Sequence, residues 1–135
     1  MSNSPLVCYT KLSPNYTKGR THTIDTISIH CMAGDMSVES CGAWMAKTST
    51  RVSSNYGIGS DGRIGLYVEE KNRSWCTSNA ENDNRAVTIE VANCGGAPDW
   101  PVSEQAYAAL LELLVDICRR NNIKRLCWKA DKSLI

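Results

Sequence analysis

Apolar and polar positions alternate most regularly over residues 24–34, IDTISIHCMAG. As a strand of period two, this stretch puts Thr26, Ser28 and His30 on one face and Ile27, Ile29 and Cys31 on the other. His30 then lies at the strand's carboxyl end on the polar face, where α/β sheets usually bind their ligands. A single histidine there serves either as a hydrogen-bonded structural residue or as a metal ligand. A second strand is written over residues 85–92, RAVTIEVA, whose β-branched run marks a central position. Val87, Ile89 and Val91 take one face, which leaves Thr88 and Glu90 on the other. A carboxylate in the middle of such a strand is costly to bury alone, so Glu90 calls for a salt bridge or a chemical role.

The remaining pattern supplies helices and a hairpin. Ser37 is the N-cap of a helix with Val38, Cys41, Trp44 and Met45 on one face and Lys47 at its end. A polar connector over residues 49–54 leads to strands at 55–59 and 63–68, joined by the turn Ser60-Asp61-Gly62 as an antiparallel hairpin. Residues 69–84 are polar and loop-like around Trp75. A tryptophan among amides suits either a grip on a polar polymer or a plug over the core. Residues 93–101 hold Gly95, Gly96, Pro98 and Pro101 and read as a loop. Ser103 caps the longest helix, with Tyr107, Leu110, Leu111, Leu114, Ile117 and Cys118 at helical spacing and Arg119-Arg120 at its negative end. Residues 123–128 are short and apolar enough for a further strand. Residues 1–23 show no period and read as an irregular arm, with His22 at the surface, leaving residues 24–135 as one domain of the α/β class.

Composition narrows the function. A chain of 135 residues buries about two thirds of the surface its unfolded form exposes and needs no staple. Fifteen Lys and Arg balance fourteen Asp and Glu, so neither nucleic acid nor an anionic membrane is an implied partner. Seven cysteines, without C-x-x-C spacing and set in apolar runs, fit reduced thiols of a cytoplasmic protein better than a disulfide framework. No signal-peptide pattern opens the chain, and no apolar run reaches the length of a membrane span.

A histidine at one strand's end, a glutamate on the polar face of another and an amide-rich loop suit metal-assisted hydrolysis. His30 would help to hold a Zn²⁺, and Glu90 would take the proton of the attacking water. Cysteine ligands are an alternative, although Cys31 points away from His30 and nothing in the spacing sets Cys94 or Cys127 beside it. A cysteine hydrolase with Cys76 or Cys94 as nucleophile and His30 as base is another.

In order and spacing, ISIHCMAG, SSNYGIGSDGRIGLYVEEKNRSW and AVTIEVAN resemble the zinc-dependent N-acetylmuramoyl-L-alanine amidases of the type-2 class. These are related to peptidoglycan recognition proteins and are common as phage endolysins. The resemblance covers roughly residues 20–135 and implies a mixed central β-sheet flanked by helices. It implies hydrolysis of the amide between N-acetylmuramic acid and L-alanine in bacterial peptidoglycan, with Zn²⁺ as cofactor. By position, His30 matches the family's first zinc ligand and Glu90 its catalytic glutamate, while Asn55, Tyr56 and Trp75 fall in segments that line the substrate groove. An endolysin of this kind accumulates in the host cytoplasm until lysis.

Two departures stand out. Cys76 follows Trp75 where many relatives carry a histidine that is generally not a ligand. The family's second and third ligands come from a segment past the last helix, beyond Ile135. The expectation is therefore a C-terminally incomplete domain, inactive or very weak as it stands and prone to self-association through an open sheet edge. The competing expectation is a non-catalytic peptidoglycan-binding module on the same fold.

Overall fold

The computed structural model describes residues 2–128. Seven strands and three helices follow in the order β1 (Tyr9–Thr10), β2 (Tyr16–Thr17), β3 (Thr26–Cys31), α1 (Val38–Met45), β4 (Tyr56–Ile58), β5 (Ile64–Leu66), β6 (Arg73–Ser74), α2 (Ala80–Arg85), β7 (Ala86–Val91) and α3 (Glu104–Arg120). Five strands make one mixed sheet in the order β1-β5-β4-β7-β3, and β2 pairs with β6 in a small second one. The mixed sheet flanked by helices is the expected class.

The two strands with the clearest alternation are neighbours. β3 and β7 run parallel over six residue pairs, from Thr26 opposite Ala86 to Cys31 opposite Val91. The expected hairpin is β4 and β5, antiparallel through Tyr56–Leu66, Gly57–Gly65 and Ile58–Ile64, and it joins β7 through β4. Both main helices start where the sequence puts their caps. Ser37 accepts from the Ser40 amide and Ser103 from the Ala106 amide, each at 3.1 Å.

The core lies between the sheet and α3. Val87, Ile89 and Val91 pack with Tyr56, Ile58, Ile64 and Leu66 against Ala106, Ala109, Leu113 and Ile117. The expected face of the long helix holds in part: Ile117 is buried and Leu110 and Leu114 pack against the core, but Tyr107 and Leu111 are exposed, while the small Ala106 and Ala109 meet the sheet. Small side chains let the helix axis approach the strands closely, which turns the bulkier Tyr107, Leu111 and Val115 outward. On the opposite side Tyr67 is fully buried, and its hydroxyl donates to the Val38 carbonyl at 2.8 Å, tying the sheet to α1. The ring fits because Gly57 and Gly65 face each other across β4 and β5. A Cβ at either would come within 2.6 or 2.7 Å of Tyr67.

Other expectations are revised. The N-terminal arm is not wholly irregular, since β1 extends the main sheet beside β5 and β2 pairs with β6. Residues 69–84 carry β6 and all of α2 but its last residue, and the N-cap Asn79 accepts from the Asn82 amide at 3.1 Å. α1 ends at Met45, and Trp44 is half exposed rather than on the buried face. Residues 123–128 form no strand, and Trp128 is 84% exposed; residues 129–135 lie outside the described part. Among the described residues no helix is long and apolar enough to cross a membrane.

Replacing Gly57 by alanine forces the Tyr67 ring out of its slot. The expected cost is about 1–3 kcal/mol, read as a lowered denaturation midpoint at unchanged slope.

Candidate metal centre

Parallel pairing in register sets His30 directly opposite Glu90. Both side chains rise from the same face of the sheet near the carboxyl ends of adjacent strands; the sequence pattern implied the polar face for each and the strand end for His30. The third member comes from elsewhere. Cys76 follows β6, and one ligand atom from each of His30, Cys76 and Glu90 lies within 4.8 Å of the others. Cys76 Sγ stands 3.9 Å from Glu90 Oε1, and all three residues are half-buried.

Local hydrogen bonds hold Cys76 there. Asp83, buried in α2, accepts from the Cys76 amide at 3.2 Å and from the Thr77 hydroxyl at 2.7 Å. Asn82 reaches from the same helix to Ser28 Oγ on β3 at 3.0 Å, so α2 joins the loop of Cys76 to the strand of His30. On the other side, Ser53 Oγ accepts from the Trp75 amide at 3.0 Å. A cavity of about 170 Å³ opens beside the cluster, lined by Cys76 and Glu90 together with Met32, Met36, Trp44 and Met45. A larger groove of about 480 Å³ lies between Leu6 and α3, and neither histidine nor cysteine lines it. The chemistry therefore belongs to the smaller one.

Burial shapes the acidity of the cluster. It pushes the Glu90 carboxyl up to about 7, with the Cys76 contact acting weakly the other way. Burial also drives the Cys76 thiol up to about 12, reinforced by the charges of Glu90 and Asp83. Imidazole nitrogen, thiolate sulfur and carboxylate oxygen are the donors zinc takes. At bond lengths of 2.0–2.3 Å, two ligands of one tetrahedral ion stand about 3.5 Å apart. Small side-chain movements would bring the three atoms to that spacing, so the residues fit the metal.

The remaining residues expected at the site divide. Trp75 is half-buried next to Cys76, its indole N–H donating to Thr17 Oγ1 at 2.9 Å. Asn55 and Tyr56 are fully buried, which corrects the expectation that they line a groove. Asn55 Oδ1 accepts from the Thr88 amide at 3.0 Å, and its Nδ2 donates to the Val68 carbonyl at 3.0 Å. Tyr56 donates its hydroxyl to Glu70 and accepts from the Ser4 amide. Every polar atom of these two side chains is thus used inside the protein. His22 is exposed, with its ring nitrogen 2.6 Å from the Thr23 carbonyl oxygen. The sequence offers Cys76 as a candidate nucleophile and not as a donor, because in the polar, loop-like stretch around Trp75 no period sets its sulfur beside His30.

A profile of the N-acetylmuramoyl-L-alanine amidase family matches residues 20–128. The chain belongs to that family. Solved structures carry the same fold at low identity to this amidase-family chain. The catalytic domain of XlyA superposes with a TM-score of 0.70 at 16% identity, covering 86% of this chain and 78% of that one. Drosophila peptidoglycan recognition protein SA gives 0.64 at 17%, over 86% and 75%. The N-acetylmuramyl-L-alanine amidase AmiD from E. coli, solved with anhydro-N-acetylmuramic acid-L-Ala-D-gamma-Glu-L-Lys, gives 0.61 at 23%, over 78% and 48%. No curated protein sequence matches the chain.

The raised Glu90 carboxyl has a consequence for the metal-free protein. Below pH ~4 the group is protonated in folded and unfolded chains alike. As pH rises toward 7 the unfolded chain ionises first, so stability falls across that window and the loss is complete above it. Glu90→Gln removes this penalty. In the presence of chelator it is expected to raise stability at pH 8 by roughly 1–2 kcal/mol, allowing for partial exposure, and to change little at pH 4. Thermal melts at the two pH values read the difference.

Proposed function

We propose that this chain hydrolyses the amide joining N-acetylmuramic acid to L-alanine in bacterial peptidoglycan, with zinc as cofactor. The observation that carries this reading is the convergence of His30, Cys76 and Glu90 at the strand ends of a family fold. His30 is a zinc ligand. Bound there, zinc polarises the scissile carbonyl and lowers the pKa of a water.

Glu90 acts as general base and then as general acid. Burial holds its carboxyl near neutrality, so one group takes a proton from water and later returns it to the leaving amine. Trp75, beside the cluster, contributes to the wall along which the glycan or stem peptide lies. Turnover is expected to be weak, since a centre that keeps Glu90 as base has two other donors among the described residues, against the three of most catalytic zinc sites. The open edge of β3, where Ile29 is 48% exposed, is the surface for self-association.

Zinc-loaded protein is expected to release stem peptide from purified peptidoglycan slowly, and Glu90→Gln to lower that rate by about 10²–10⁴-fold while leaving sedimentation with the cell wall unchanged. Equal rates in the two proteins, with cell-wall binding kept, would instead establish a binding module. That second reading is favoured by the fold shared with the Drosophila peptidoglycan recognition protein. Elemental analysis supplies the companion measurement. Bound zinc is expected in the wild type and is lost in His30→Ala.

A further inference from the structure

Resting on the zinc reading above, we infer that Cys76 is itself a metal ligand, giving a thiolate centre in which His30 and Cys76 hold the ion and Glu90 is left to the water. The three donors are not equivalent. Cys76 sits on a loop fixed by two acceptor oxygens of the buried Asp83, which take the Cys76 amide, the Thr77 amide and the Thr77 hydroxyl. Its backbone is thereby held in place with the sulfur turned toward Glu90 and His30. Placing a cysteine by bonds to its own loop is how an outer shell orients a ligand.

Glu90 is held differently. It stands in the middle of a ladder, with Gly57 of β4 on one side and His30 of β3 on the other, and its carboxylate has Cys76 Sγ as its hydrogen-bond contact among the described residues. A carboxylate with open lone pairs beside a fixed thiolate and imidazole is placed to take a proton from a fourth ligand. Softness points the same way. Thiolate and imidazole select zinc, cobalt and cadmium, whereas an oxygen-only site would favour magnesium or manganese.

Other sulfurs stand near without converging. Cys31 and Cys41 line the same cavity, yet neither belongs to a group of three donors among the described residues. Cys41 is fully buried inside α1, and Cys31 follows His30 on the strand, which turns its side chain to the opposite face. The signal of one particular thiolate is therefore open to measurement.

Cobalt titration of the full 135-residue chain, followed by absorbance, tests the assignment. Wild type is expected to develop a near-ultraviolet thiolate-to-cobalt charge-transfer band that Cys31→Ser and Cys41→Ser keep. Cys76→Ser is expected to lose the band and at least about 100-fold in cobalt affinity. Cys76→Asp, which offers an oxygen in place of the sulfur, restores affinity without the band and guards against a folding defect. A band that survives in Cys76→Ser overturns the assignment, as does cobalt bound by wild type with no band at all. A thiolate band in protein that does not hydrolyse peptidoglycan would refute the amidase reading alone. Zinc-dependent hydrolysis with no thiolate band would refute the ligand assignment alone.

Discussion

The parallel pairing of β3 with β7 is the constraint on which the site depends. Its register sets His30 opposite Glu90, and because side chains alternate along a strand, a slip of one residue would turn His30 to the other face. Both ends of the pair are fastened. At the start Arg85 forms an ion pair with Asp25, and the Asp25 amide donates to the Arg85 carbonyl at 3.1 Å. At the end Asn93 accepts from the Ala33 amide through Oδ1 at 2.9 Å, and its own amide donates to Gly34 at 2.9 Å. The chain leaving His30 is thus bound to the chain leaving Glu90.

Behind the pair lies a polar layer with its partners supplied. Thr88, one position before the strand turns its next side chain toward the core, shares a hydrogen bond with Ser74 at 2.7 Å and gives its amide to Asn55. Asn55 in turn bonds the carbonyl of Val68. A second buried cluster anchors the far end of α3, where Arg120 grips Glu70 with both Nη atoms at 2.6 and 3.0 Å and Tyr56 donates to the same carboxylate. Buried charged groups hold only when paired, and here they join the last turn of α3 to the loop after β5, to β4 and to the N-terminal segment. Asn55 and Tyr56 thus belong to the scaffold that keeps the strands in place.

What the sequence shows plainly is what obeys a short period or a local rule. Alternation in β3 and β7 placed His30 and Glu90 on polar faces, the turn at Ser60-Asp61-Gly62 gave the hairpin, and Ser37 and Ser103 marked the helix starts. The family resemblance rested on those same segments. The buried face of α3 was harder because two stripes of the helix are apolar at helical spacing. Size favours the stripe of Tyr107 and Leu111, whereas packing against a sheet favours the one with Ala106 and Ala109. Asn55 and Tyr56 show the opposite difficulty, since a polar or amphipathic residue near a site looks the same in sequence whether it faces solvent or a buried carbonyl. Cys76 was hidden because its place is set by Asp83 seven residues later, through an α2 of only six residues that leaves almost no periodic trace.

The chemistry of the cluster and its cost to the fold have one origin. Desolvation raises both the Glu90 carboxyl and the Cys76 thiol, and without a cation each is held more easily protonated than charged. A divalent ion reverses that preference, since its charge favours the thiolate and the carboxylate together. Metal affinity and folding stability are then linked: the burial that disfavours the charged residues in the bare fold is offset when the ion binds the folded state alone. Exposing the cluster to water would relieve that desolvation cost. It would also return Glu90 to an ordinary carboxylate, too weak a base for the proton transfer proposed for it.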